Sequence, residues 1–125
     1  MTDQPPAFII AVVDDDQRIL ESLKNLLESA DHAVRSFASA TALLESGCVA
    51  EIDCLISDIG MPVLDGFELL RLVHSARPEL PIILITGRPD MLNRLPSTAR
   101  GHYRLLNKPL DAQELLTAVT DALRN

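Results

Sequence analysis

Five short, largely apolar runs alternate with segments of helical periodicity from one end of this chain to the other, and that alternation constrains the fold more than any other feature. The strand candidates are Phe8–Val13, Ala33–Phe37, Cys54–Ser57, Ile82–Thr86 and Tyr103–Leu106. Between the first two, Ile19, Leu23, Leu26, Leu27 and Ala30 recur at three- and four-residue spacing, which is one face of a helix. Ser39 is placed to cap a short second helix ending near Gly47, and Phe67, Leu70, Val73 and Ala76 line a third that Pro78 stops. The last helix opens with the capping-box spacing Asp111-Ala112-Gln113-Glu114 and turns Leu115, Val119, Ala122 and Leu123 inward. Such alternation predicts an α/β fold: a five-stranded, doubly wound parallel sheet with helices on both faces. The pattern fails between Arg88 and Gly101, where Pro96 falls in the middle of the expected fourth helix and costs a continuous helix about 3 kcal/mol or more. That helix is therefore expected to be short, displaced or irregular.

A chain of 125 residues with 47% hydrophobic content is read as a single domain, 1–125, long enough for a proper core. Met1 to Pro6 form an extended or disordered N-terminus that resembles neither a signal peptide nor an anchor. No apolar run approaches the roughly 20 residues that span a bilayer, so the expectation is a cytoplasmic protein with no membrane role. Cys48 and Cys54 then read as reduced thiols. The net charge of -7 argues against direct nucleic-acid binding, which needs a basic surface. His32, His74 and His102 show no metal-ligand spacing and read as surface or edge residues.

The chemistry gathers where strands end. Asp14, Asp15 and Asp16 stand directly behind the first apolar run, Asp58 behind the third, and Lys108-Pro109 behind the last. In a parallel sheet these ends converge on one edge, where open α/β folds bind ligands. Carboxylates crowded in this way repel one another unless a helix N-terminus, a lysine or a metal ion meets them. Singly, each residue has a plain explanation: a helix cap with two solvated carboxylates, a β-branched strand residue at Thr86, a surface charge at Lys108. Lysine is scarce, however; only Lys24 and Lys108 occur among the eleven basic residues. Taken together, four carboxylates, one lysine and room for a divalent cation make a phosphoryl-transfer pocket.

Val12-Val13-Asp14-Asp15-Asp16, Ser57-Asp58-Ile59-Gly60-Met61-Pro62, Asp65-Gly66, Ile85-Thr86-Gly87 and Asn107-Lys108-Pro109 together resemble the receiver domain of two-component response regulators. The resemblance runs from Phe8 to the last helix, and the spacings from Asp15 to Asp58, Thr86 and Lys108 are similar to those of the FixJ-type branch. It implies a flavodoxin-like three-layer sandwich that acts as a switch rather than as an enzyme. Asp58 would accept a phosphoryl group from a sensor histidine kinase, a reaction open to a carboxylate once nearby charge is neutralised. Mg2+ would be held directly by Asp15, Asp58 and the backbone carbonyl of Gly60, with Asp14 acting through a water; magnesium takes oxygen ligands and usually only one or two carboxylates. Thr86 and Lys108 would contact the phosphoryl oxygens, over which charge spreads in the transition state. Asp16 falls one position beyond the pair and is expected to start a helix. Family members usually carry a cis bond before this proline, and the cis form is accessible at Lys108-Pro109. Met61-Pro62 and Asp65-Gly66 would close the loop after Asp58, and Arg88 is placed to shield an attacking water.

Two positions depart from the family pattern. Leu105 stands where receivers usually carry a switch aromatic, with Tyr103 two residues earlier on the same face of the strand. The other is Pro96. Signalling by ordering of the Arg88–Gly101 loop, or by dimerisation through the last helix, is therefore expected in place of rotation of one ring. The chain ends at Asn125, so it is either a stand-alone receiver or the regulatory half of a longer regulator; FixJ-type receivers commonly precede a helix-turn-helix DNA-binding domain. Two rival functions compete with this one. A small phosphatase of the haloacid dehalogenase type would use Asp14-x-Asp16, but it needs an acidic pair beyond the lysine, and only Asp111, Glu114 and Asp121 follow, spread along a helix. A receiver-like adaptor without a phosphorylation switch would not need the full set of Asp, Thr and Lys.

Overall fold

The computed structural model describes residues 8–59, 66–87 and 103–124, with the side chains of residues 66 and 67 outside that description. Strands β1 (Ile9–Val13), β2 (Ala33–Phe37), β3 (Cys54–Asp58), β4 (Ile82–Thr86) and β5 (Tyr103–Asn107) form one sheet in the order β2-β1-β3-β4-β5. Every pairing is parallel. The helices are α1 (Gln17–Ser29), α2 (Ala40–Ser46), α3 (Gly66–Ala76) and α4 (Ala112–Leu123), with a 3-10 turn at Cys48–Ala50. All five expected strands form within one residue of their expected limits. The expectations for Gly60, the Met61-Pro62 and Asp65 turn, Arg88, Pro96, the helix between Arg88 and Gly101, and His102 fall outside the described residues.

Because side chains alternate across a strand, the apolar runs feed two cores at once. Ala11, Val13, Leu55, Ile82 and Leu84 join Leu43 of α2 and Leu69, Leu70 and Val73 of α3. Ile10, Val12, Ile56, Ile83 and Ile85 join Leu20, Leu23 and Leu27 of α1 and Leu115, Ala118 and Val119 of α4. Residues of β1, β3 and β4 in these clusters are at most 3% exposed, which is why their runs read as almost continuously apolar. Tyr103 and Leu105 both pack against the first core, as their two-residue spacing requires.

The helix limits follow from local chemistry. The carboxylate of Asp16 accepts the Arg18 N–H, the hydroxyl of Ser39 the Ala42 N–H, and the carboxylate of Asp111 the Glu114 N–H. Gly47 closes α2 with φ 73°, a left-handed conformation that glycine adopts without a Cβ penalty. The inward faces differ in detail from the sequence reading. Leu20, Leu69 and Ala118 are buried, whereas Ala76, expected inside, is exposed because α3 ends there and its last turn has left the sheet. Arg77 follows immediately; its Nη1 donates to the carbonyls of Val49 (2.8 Å) and Ile52 (2.6 Å), tying the end of α3 to the segment that leads into β3. Cys48 and Cys54 are buried free thiols, and burial pushes the Cys54 thiol up to about 12. Among the described residues, no helix is long and apolar enough to cross a membrane.

Candidate functional site

The sheet's register brings the acidic residues to one rung. Val13 pairs with Ser57 across β1 and β3, so Asp14 and Asp58 follow side by side at the carboxyl edge. Asp58 pairs with Ile85, and Thr86 with Asn107, which puts the last residue of β4 and the residue before Lys108 at the same edge. Backbone hydrogen bonds carry the ladder past the functional positions. The N–H of Asp14 donates to Phe37 (3.2 Å), that of Ile59 to Ile85 (3.1 Å) and that of Lys108 to Thr86 (2.8 Å). The main chain beneath these side chains is therefore fixed by the sheet.

The side chains are held unequally. Asp14 is 1% exposed, and its Oδ1 accepts the Asp16 N–H at 2.9 Å, whereas its Oδ2 is buried with no hydrogen-bond partner. Burial raises the Asp14 carboxyl above the ordinary aspartate range; the Asp58 and Asp15 charges push the same way, while the Asp16 N–H and Lys108 oppose. Asp58 is largely buried at 7% exposure and Asp15 is exposed. The Lys108 ammonium lies 3.5 Å from Asp14 Oδ2 and 3.6 Å from Asp58 Oδ2. The bond between Lys108 and Pro109 is cis, the form the sequence left accessible. Thr86 is buried at the end of β4.

Oxygens of Asp14, Asp15 and Asp58 lie within 4.8 Å of one another. An all-oxygen donor set, one buried oxygen lacking a partner and an exposed carboxylate at the mouth together suit a hard divalent cation such as Mg2+. Asp16 stands apart from this group, its carboxylate held by Arg18 at the start of α1. The structure thus brings together Asp14, Asp15, Asp58 and Lys108, with Thr86 at the same edge. Gly60 falls outside the described residues. Gly87 belongs to the Ile85-Thr86-Gly87 motif, where the sequence gives it no role of its own. A Cβ there would meet the Lys108 stem at 3.7 Å (Cδ) and 3.8 Å (Cβ), so Gly87 borders the lysine's path into the pocket. The signal available was a residue without a side chain directly after the strand-end threonine.

Comparison with known proteins identifies the family and matches the fold. Residues 10–120 match the family described as the response regulator receiver domain. The transcriptional regulatory protein FixJ of Azorhizobium caulinodans is 33% identical over 119 residues, covering 95% of this chain and 56% of that protein. The response regulator protein TmoT of Ectopseudomonas mendocina is 34% identical over 124 residues, covering 99% of this chain and 56% of that protein. The chain therefore spans about half the length of these curated relatives. Among solved structures, a receiver domain protein of Clostridium thermocellum superposes with TM-score 0.83 at 32% identity, covering 94% of each chain. A CheY-like receiver domain protein of Methanospirillum hungatei gives 0.84 at 30% identity, also covering 94% of each chain.

Proposed function

The chain belongs to the receiver domain family of two-component response regulators, and from that premise we propose that Asp58 is its phosphoacceptor. The observation that carries the reading is the convergence of Asp14 and Asp58 on one ammonium, that of Lys108, at the carboxyl edge of the sheet. A carboxylate oxygen of Asp58 attacks the phosphorus of a phosphohistidine on a sensor histidine kinase. The new P–O bond forms as the P–N bond breaks, and the imidazole leaves with its electron pair and takes a proton from solvent. Lys108 draws negative charge off the equatorial oxygens, and the Thr86 hydroxyl donates to one of them. Asp14, Asp15 and Asp58, with the Gly60 carbonyl, would hold Mg2+, which when bound neutralises carboxylate and phosphoryl charge together. Asp14 is the least exposed of the three carboxylates, which suits a role through a water rather than a direct bond.

The site works as a switch: the covalent state of Asp58 is the signal, and the protein turns over no substrate for its own sake. The output is read through a partner or through a further domain in the parent protein. FixJ and TmoT, whose names describe regulators, extend well beyond the region matched here, which supports a regulatory half in a longer protein. Dimerisation on phosphorylation, through α4, is the route that leaves the acceptor edge open to the kinase. A cytoplasmic location fits the kinase's phosphohistidine as donor. The test is incubation with a small phosphodonor and Mg2+, followed by intact mass and peptide mapping. The expected result is one phosphoryl group on Asp58, lost in Asp58→Asn and lost with chelator; a modification that survives either change overturns the assignment.

A further inference from the structure

Among the described residues, four polar residues are buried: Asp14 and Ser57 at 1% exposure, Thr86 at 2% and Asp58 at 7%. Three of them carry the site described above. Ser57 is the fourth; it precedes Asp58 in β3, and alternation turns its side chain to the opposite face of the sheet. The register sets it in the middle of the rung Phe37–Val13–Ser57–Leu84–Leu105, whose other four members pack in the first core. An aliphatic side chain here would bury more apolar surface, and a hydroxyl is costly to bury unless it is bonded. This one is bonded, and its acceptor is the main-chain carbonyl of Asp58 at 3.1 Å. The other end of the same peptide is held as well, since the Ile59 N–H donates to the Ile85 carbonyl at 3.1 Å. A side chain grips one end and the neighbouring strand grips the other.

We infer that Ser57 is a positioning residue of the acceptor edge: its hydroxyl fixes the peptide that follows Asp58, and through it the direction in which the Asp58 carboxylate is presented to Asp14 and Asp15. This rests on the reading of those three carboxylates as the set that holds Mg2+. The hydroxyl lies on the far face of the sheet and acts through the main chain alone. Asp58 is the last residue of β3, so the peptide after it is where regular pairing runs out and extra restraint has most effect. Magnesium demands near-ideal octahedral geometry, so a carboxylate whose backbone can tilt binds it less well although every ligand is still present. Partners that orient ligands are worth roughly 10–100-fold in metal affinity, and one neutral bond to the main chain belongs at the lower end.

The experiment is calorimetric titration of the whole chain with MgCl2, with urea unfolding of each protein in chelator alongside it. Wild type is compared with Ser57→Thr, Ser57→Val and Ser57→Ala. Threonine and valine are nearly equal in shape and differ in the hydroxyl, so the pair separates the hydrogen bond from packing. Ser57→Thr is expected to bind Mg2+ within about twofold of wild type, and Ser57→Val about tenfold more weakly. Ser57→Val is nonetheless expected to be at least as stable as Ser57→Thr, because it buries the more apolar side chain. Phosphorylation by a small phosphodonor should follow the same order at low Mg2+ and converge at saturating Mg2+. Equal Mg2+ affinity in Ser57→Thr and Ser57→Val, or weak binding in Ser57→Val that comes with a matching loss of stability, overturns the inference and leaves the metal site standing. No binding heat in wild type at millimolar metal overturns the metal reading and the inference with it. If the added methyl groups prevent folding, Ser57→Ala decides: about tenfold weaker binding bears the inference out, and wild-type affinity overturns it.

Discussion

Arg77 offers the most direct test of how this fold is held together. Its Nη1 uses both hydrogens, one on the Val49 carbonyl at 2.8 Å and one on the Ile52 carbonyl at 2.6 Å. The Nε group pairs with Glu79 at 3.1 Å, but the Glu79 side chain is 69% exposed, so that pair contributes little. A hydrogen bond from a charged donor contributes about 1.5–3 kcal/mol when buried. The Arg77 side chain is 26% exposed, so water partly replaces each bond after truncation and the lower half of that range applies. With two such bonds, Arg77→Ala should therefore cost about 3–4.5 kcal/mol, a large share of the 5–15 kcal/mol typical of a domain. Arg77→Lys, a point charge on a flexible stem, should recover part of the loss, and Glu79→Ala should stay within about 0.5 kcal/mol of wild type. Urea unfolding followed by circular dichroism measures all three, provided the slope with denaturant is unchanged. A loss below about 0.5 kcal/mol in Arg77→Ala, or a Glu79→Ala loss as large as that of Arg77→Ala, would refute the assignment of stability to the two carbonyls.

Two further outcomes are expected at the acidic edge. Burial holds the Asp14 carboxyl above the ordinary aspartate range, so its contribution to stability is complete below that range and is lost as pH rises through the folded-state value. Asp14→Asn removes that loss; in chelator at neutral pH it should be more stable than wild type by on the order of 1 kcal/mol, with the gap closing in acid, and an Asn variant less stable at neutral pH contradicts this. Millimolar Mg2+ should raise the melting temperature of wild type, because the metal site is absent from the unfolded chain, and should raise that of Asp15→Ala much less; equal shifts in the two proteins would remove Asp15 from the metal set.

The strands were legible because burial on both faces demands apolar residues at nearly every position, as in Ile82 to Ile85, and short-range chemistry reported the caps at Asp16, Ser39 and Asp111. Helix phase was less legible. Periodicity alone put Ala76 inside, but which residues of a last turn still touch a sheet depends on where the helix leaves it. The acceptor edge could be read because parallel topology gathers strand ends, so Asp14, Asp58 and Lys108, far apart in sequence, were bound to meet once the strand order was right. Arg77 could not be read in this way: its partners are main-chain carbonyls 25 and 28 residues earlier, and carbonyls leave no mark on a sequence. Nor could the difference in burial between Asp14 and Asp15 be read, since solvent exposure at a strand end depends on the whole fold.

The strand order has a consequence for how the site comes apart. The carboxylates are mounted on β1 and β3, which have a neighbour on each side, whereas Lys108 follows β5, the last strand of the sheet. Local opening begins at edges and spares the centre, because an edge strand loses one ladder of hydrogen bonds where an inner strand must lose two. Fraying of β5 with α4 thus carries off the ammonium while Asp14 and Asp58 stay in register across the β1–β3 ladder. A form opened first at β5 keeps Asp14 and Asp58 in register and lacks the ammonium opposite them, so it carries more uncompensated negative charge than the intact fold.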